Sequence, residues 1–398
     1  MFLIQHGFQK GTKVTDCISA GTADGVVWSP ADETEANLRA AMDDPVLANV
    51  VLAVDPQMYV AALSAPSLKK LGDYGYFRSN LQARHFTPQL TLDTVRDVLD
   101  FQASLPITVA LSPTVAVDSS RGRWAQVASS LADAALADWS ARQTVTPLFL
   151  SVALTQSLLT NEIETNAVLN DLTSFEADGF YILFEIKADL DPAVEAEILE
   201  RALWIAYSLG DLNEFPVWVG YTGLSGYPFL AAGAEAVAAG WWQKLQYWSP
   251  DHWLGSPGGR QPRPRLVTDT LLNSILIDSE LDAIFRADRT LYDEIVSGVG
   301  PLSVRYRQSP PSNASAPSRD DLAAQLFAVC HELSSRVTKA ESVSDRIRRV
   351  LDDIAAADVR YRRIRAAGIG LDPQSSQRRL TVWSTALQGL ASRIGITP

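Results

Sequence analysis

Cysteine is nearly absent: Cys17 and Cys330 are the only two in 398 residues. A disulfide framework or a Cys-rich zinc site needs several clustered thiols, so neither is expected here. Both cysteines read as small buried side chains. Long apolar runs are missing too. No segment reaches the ~20 residues of a membrane span, and the N-terminal MFLIQHGFQK lacks the basic start and apolar stretch of a signal peptide. The expectation is a cytoplasmic protein without a membrane partner. The signature motifs are equally scarce. There is no HExxH, CxxC or Asp-x-Asp-x-Asp calcium loop, no Walker A sequence, no GxSxG elbow and no strand-linked GxGxxG. The cofactor is therefore unknown. None is required, and flavin mononucleotide or a divalent metal remain the options.

What is present points to a large globular core. Hydrophobic residues make up 47% and charged ones 20%, the balance of an ordinary folded protein. The net charge of -12 is unevenly spread. From Arg260 onward there are 20 Lys and Arg against 16 Asp and Glu, which leaves the first 259 residues with 14 against 30. An acidic body with a basic tail suits an anionic partner such as nucleic acid, or a helical face laced with ion pairs.

Short apolar runs alternate with amphipathic stretches, the pattern of strand–helix units on a parallel sheet. Eight runs are visible: Phe2–Gln5, Gly25–Trp28, Val50–Val54, Ile107–Leu111, Leu148–Ala153, Phe180–Lys187, Val217–Gly220 and Ala236–Ala239. Eight such units within about 240 residues predict a (β/α)8 barrel of the α/β class, with an open doubly wound sheet as the competitor. Ser29-Pro30, Asp55-Pro56 and Asp191-Pro192 read as helix starts. Helical periodicity is clear over Trp124–Gln143 and Ala193–Leu212.

The predicted organisation is a barrel over residues 1–265, a helical extension packing on it over 266–308, a linker over 309–318 and an Arg-rich, all-α domain over 319–398. Val267–Arg286 is expected to be the eighth barrel helix. The linker reads SPPSNASAPS, and three helices come after it at Arg319–Arg336, Glu341–Ala367 and Gln374–Ile394.

Strand parity then nominates site residues. Side chains alternate between two faces of a strand. Phe180, Ile182, Phe184 and Ile186 make one wholly apolar face, which should meet the helices. Tyr181, Leu183, Glu185 and Lys187 then point inward, with Glu185 and Lys187 at the C-terminal mouth where barrel enzymes keep their chemistry. A carboxylate beside an ammonium is a candidate acid/base pair or a structural ion pair. The same parity turns Asp55 inward, although Asp before Pro is also a routine cap. His6 ends the first strand and is one of four histidines. Ser112 and Ser151 end inward series as well. The long connection from Pro56 to Leu90 is expected to be a lid or substrate loop, bringing Arg78, Asn80, Arg84 and His85.

The segment from Pro216 to Trp242, PVWVGYTGLSGYPFLAAGAEAVAAGWW, ends one strand in a glycine-rich turn and a later strand in glycine. It resembles the seventh-and-eighth-strand region of phosphate-binding (β/α)8 barrels, including flavin mononucleotide enzymes. The matching positions are Gly220, Gly223, Gly226, Gly233, Ala234, Glu235, Ala236, Val237 and Gly240. The resemblance implies backbone N–H groups closing on an anion. It departs from the pattern where Tyr221 or Thr222 replaces a second glycine, and in its short helix. Trp241, Trp242, Tyr247, Trp248 and Trp253 fall within 13 residues after the last strand. Such a cluster either stacks a ring-shaped ligand or cements the barrel to the C-terminal domain.

Two functions fit these residues. One is a barrel enzyme acting by acid/base chemistry on a phosphate-, nucleotide- or nucleobase-containing substrate. The other is a barrel scaffold whose C-terminal helices bind nucleic acid or a protein.

Overall fold

The computed structural model describes residues 1–186, 191–254 and 262–397. Lys187 therefore lies outside the described residues. The chain begins with three strand–helix units. These are β1 (Phe2–Gln5) and α1 (Lys13–Ser19), β2 (Gly25–Trp28) and α2 (Glu35–Met42), and β3 (Val51–Val54) and α3 (Pro88–Ala103). The fourth position is split into β4 (Ala110–Leu111) and β5 (Ala116–Val117), followed by α4 (Arg123–Ala141). Next come β6 (Leu148–Leu154) with α5 (Gln156–Leu159) and α6 (Glu162–Leu172), and β7 (Gly179–Phe184) with α7 (Pro192–Tyr207). Then come β8 (Val217–Val219) with α8 (Gly226–Ala231), and finally β9 (Ala236–Ala239).

All these strands pair in parallel, in the order β3-β2-β1-β9-β8-β7-β6-β4, with β5 also on β6. At the seam the Leu52 carbonyl accepts from the Thr108 N–H at 2.8 Å, and the Leu52 N–H donates to Thr108 Oγ1 at 2.8 Å. The result is a nearly closed (β/α)8-type barrel.

Parity decides what fills it. Leu3, Val27, Ala53, Phe149, Tyr181, Leu183, Trp218 and Ala238 pack inside. Phe2, Ile4, Val26, Trp28, Leu52, Val54, Phe180, Ile182 and Phe184 face the helices. Asp191 caps α7 by accepting from the Ala193 N–H at 2.9 Å, with Pro192 in the first turn as its sequence suggests. Asp55-Pro56 opens no long helix; only a short turn at Met58–Val60 comes after it.

The eighth helix is not where the periodicity places it. The first half of Val267–Arg286 belongs to an antiparallel hairpin, β10 (Arg265–Thr268) and β11 (Asn273–Leu276), and the second half to a helical turn and α9 (Asp282–Ala287). The chain continues through α10 (Arg289–Val296), α11 (Pro301–Gln308), α12 (Arg319–Thr338), α13 (Val343–Ala366) and α14 (Arg378–Arg393). Ser318 starts α12 with a reciprocal cap, its hydroxyl taking the Asp321 N–H and the Asp321 carboxylate taking the Ser318 N–H.

Helix α12 packs against β1, α1 and α8, and so fills the eighth place in the helical ring. The reason is local: α8 has only six residues and covers little of the barrel wall. Phe327 sits fully buried against Phe2, with ring centroids 5.7 Å apart. Helices α13 and α14 then cover α8 and α7 from outside. One continuous hydrophobic core joins the barrel wall to these C-terminal helices. Replacing Phe327 by Ala is expected to lower stability by roughly 3–5 kcal/mol, measured by chemical denaturation.

The uneven charge finds its partner inside the molecule. Arg346 pairs with Asp211, Arg378 with Glu195 at 2.7 Å, and Arg393 with Glu162 at 3.0 Å. Within the C-terminal part itself, Arg336 pairs with Asp269, and Arg363 pairs with Asp288 at 3.0 Å. Each exposed pair is worth only ~0–1 kcal/mol. The first three link the tail to the body. Among the described residues no helix is long and apolar enough to cross a membrane.

Candidate active site

The C-terminal mouth of the barrel is covered rather than open. The connection after β3 folds down over it, burying Met58, Tyr59, Val60, Leu71, Tyr74 and Tyr76. Trp248 and Trp253 close in from the far side, with ring centroids 5.6 and 6.2 Å from Tyr59. The Ser67 N–H joins the two segments by donating to the Trp253 carbonyl at 2.6 Å. The long connection thus packs as a plug, because its aromatic residues have the barrel end to bury against.

Beneath that cover lies a polar cluster centred on Asp55, which is 1% exposed. Asp55 Oδ1 accepts from the Gln57 N–H at 3.0 Å, the local turn expected of Asp before Pro. Its other oxygen, Oδ2, accepts from the Tyr59 hydroxyl at 2.9 Å. The Tyr59 and Tyr221 hydroxyls stand 3.3 Å apart, and Gln57 Nε2 donates to Tyr221 at 3.4 Å and to Ser29 Oγ at 2.8 Å. Across the barrel the Tyr181 hydroxyl donates to Gln5 Oε1 at 3.0 Å.

Gln57 and Tyr221 both adopt left-handed backbone, with φ of 55° at each. That conformation is costly for non-glycine residues, and such strain gathers at functional sites. Burial pushes the Asp55 carboxyl up to about 7, against the opposing pull of the Gln57 N–H and the surrounding phenols. Burial also raises Tyr59, Tyr181 and Tyr221, with the Asp55 charge adding to the effect, so all three phenols stay protonated.

The other nominated residues are dispersed. Glu185 is buried on the sixth barrel strand, three positions round the ring from Asp55. Its Oε1 accepts from Ser249 Oγ at 2.8 Å and its Oε2 from the Gln156 N–H at 3.1 Å, which ties the aromatic cover to the start of α5. His6 continues the outward series of Phe2 and Ile4. It lies against Trp28 at 4.7 Å and Trp241 at 5.8 Å, with Nε2 3.7 Å from Glu33. It does not join Asp55. Arg78 pairs with Asp97 at 2.9 Å, and Asn80 and Arg84 are exposed on the loop.

The glycine-rich turn serves packing. A Cβ on Gly220 would come within 2.4 Å of the Tyr181 hydroxyl; on Gly223, within 2.9 Å of Gln246 Cβ; on Gly240, within 2.4 Å of the Gln5 carbonyl and 2.5 Å of Leu245. These glycines let side chains and strands approach closely. Tyr221 is buried next to Gly220, and α8 runs for only six residues. The residues present do not fit a flavin phosphate. Among the described residues no three His, Cys, Asp or Glu stand close enough to hold a metal ion. Trp241 is cement: its indole N–H donates to the Phe8 carbonyl at 2.9 Å and its ring packs 6.4 Å from Phe327.

Gln5, Gln57 and Tyr59 escape a sequence reading. Gln57 and Tyr59 lie in a loop, where parity has no force. The inward parity of Tyr181 is legible, but its role beside Asp55 needs the fold. Compared with models of known protein families and with curated proteins, the chain matches none.

Proposed function

We propose that this chain is a barrel enzyme that moves a proton through Asp55 at the C-terminal mouth. The observation that carries the reading is the buried Asp55 carboxylate, held by Gln57 and Tyr59 and raised to about 7. A carboxyl group poised near neutral pH exchanges a proton in either direction at little cost. Oδ1 is engaged by the Gln57 backbone, which leaves Oδ2, beside Tyr59 and Tyr221, as the oxygen that gives or takes the proton. The tyrosine hydroxyls steady the ionised form, and the aromatic cover keeps water away.

Glu185 plays a supporting part: it holds the Ser249 hydroxyl and the Gln156 N–H three strand positions away from Asp55, tying the aromatic cover to α5. The phosphate and nucleotide parts of the expected substrate draw no support from the glycine turn. The alternative, a scaffold that binds nucleic acid or a protein through the C-terminal helices, loses much of its motive, because many of the tail arginines pair with the chain's own acids.

Incubation with a small-metabolite extract, read by mass spectrometry, tests the proposal. Wild type should consume a component that Asp55→Asn leaves intact, with Asp55→Asn still folded at the assay temperature. Equal consumption by both proteins, or none by either, overturns it.

A further inference from the structure

We propose that the enclosed end of the barrel binds an uncharged ring that offers an N–H or O–H to Asp55 and acceptor atoms to Gln5, Trp218 and Ser151. This builds on the acid/base reading only in taking Asp55 as a ligand contact. The independent observation is a set of buried polar atoms. Gln5 is 0% exposed and Trp218 2% exposed, yet Gln5 Nε2 and Trp218 Nε1 have no hydrogen-bond partner among the described residues. The Ser151 hydroxyl is in the same state.

These atoms are not scattered. Ser151 pairs in register with Tyr181, and Tyr181 with Trp218, so the three stand side by side on adjacent strands. All three residues point into the barrel. Gln5 joins them from β1, where its Oε1 accepts from the Tyr181 hydroxyl at 3.0 Å. A folded protein rarely leaves a buried donor unmet, and several facing one barrel interior mark a place that a bound molecule completes.

Charge selects the ligand further. The only buried Lys, Arg or His side chains among the described residues are Lys13 and His6. Lys13 lies on α1, where it pairs with Asp320, and His6 faces the helices. Nothing inside can neutralise a phosphate or carboxylate, and Asp55 would repel one. A cation is disfavoured as well, because the unmet amide and indole N–H groups present the positive ends of their dipoles. An uncharged molecule with neighbouring donors and acceptors fits both ends. Tyr59 and Trp248 belong to the same buried cluster as Tyr181 and Trp218, and their rings offer a flat ligand faces to stack on. They must swing aside for entry.

Calorimetric titration of the full chain tests this with two arms, since a pyranose sugar and a lactam share this chemistry. Glucose and N-acetylglucosamine form one arm, uracil and valerolactam the other, with glucose phosphate and uridine monophosphate as charged counterparts. Members of one arm should bind, and that arm names the source. The charged counterpart should bind at least about tenfold more weakly, having no cation to meet it. Trp218→Phe and Ser151→Ala each remove one hydrogen bond and should weaken binding by about fivefold to tenfold. The serine variant alters little volume and keeps the test usable if the tryptophan variant folds poorly.

Absence of binding in both arms, tighter binding of the charged counterparts, or unchanged affinity in Ser151→Ala overturns the inference. Ring binding without any turnover removes the enzyme reading alone. Turnover lost in Asp55→Asn without ring binding removes this inference alone.

Discussion

A chain ending at residue 318 is expected to lose the cooperative unfolding of the barrel, although every barrel strand remains in it. The reason is the place of α12. It closes the helical ring between α8 and α1, over the outward side chains of β1. Leu326, Phe327, Val329, Cys330 and Leu333 are all buried there. Five such side chains at about 1.5–3 kcal/mol each amount to on the order of 10 kcal/mol. A whole domain is usually stable by only about 5–15 kcal/mol. Truncation also exposes Phe2, Ile4 and the buried residues of α8 to water. The shortened chain should bind a hydrophobic dye and lack a sharp melting transition by circular dichroism. A native-like melt would show that the helices merely decorate a self-sufficient barrel.

The second large effect is on pH dependence. In the unfolded chain Asp55 ionises near 3.8, and in the fold burial pushes it up to about 7. Between those values the folded protein holds a proton that the unfolded chain has released. That contribution to stability is fully present below the unfolded value and is lost as pH rises through the folded one. Each pH unit of separation corresponds to about 1.4 kcal/mol, so the loss is on the order of 4 kcal/mol. Asp55→Asn cannot ionise and lacks this contribution. Urea unfolding from about pH 4 to about pH 8 should therefore show wild type losing stability relative to Asp55→Asn. Parallel curves for the two proteins would mean that Asp55 titrates as an ordinary exposed carboxylate.

Much of the barrel is legible in the order of its residues. The alternation of Phe180, Ile182 and Phe184 with Tyr181, Leu183 and Glu185 sorts the outer face from the inner. It works because a strand has only two sides and a closed barrel buries both. Asp55 is legible on the same ground. His6 shows where parity must be followed further: it shares the side of Phe2 and Ile4, and the end of a strand is not by itself the mouth. The three C-terminal helices are legible from their apolar stripes, but not the surface they cover. Periodicity reports that a helix has an apolar face and is silent about its partner.

The glycine turn carries the same lesson. Gly220, Gly223 and Gly240 look alike whether they make room for an anion or for Tyr181, Gln246 and Leu245. Only neighbours distant in sequence distinguish the two cases.

Residue order alone therefore settles most of the barrel strands, their inward and outward faces, and a body and tail of opposite charge, because each rests on local periodicity or composition; it misses the β10–β11 hairpin and the split of the fourth strand. Three outcomes belong to the tertiary fold. The tail completes the barrel and pairs three of its arginines with it, the long loop plugs the mouth, and the Asp55 turn meets Tyr221. Those outcomes depend largely on contacts between residues far apart in the chain. A contact of that kind is set by which surfaces remain to be buried once the local elements have formed.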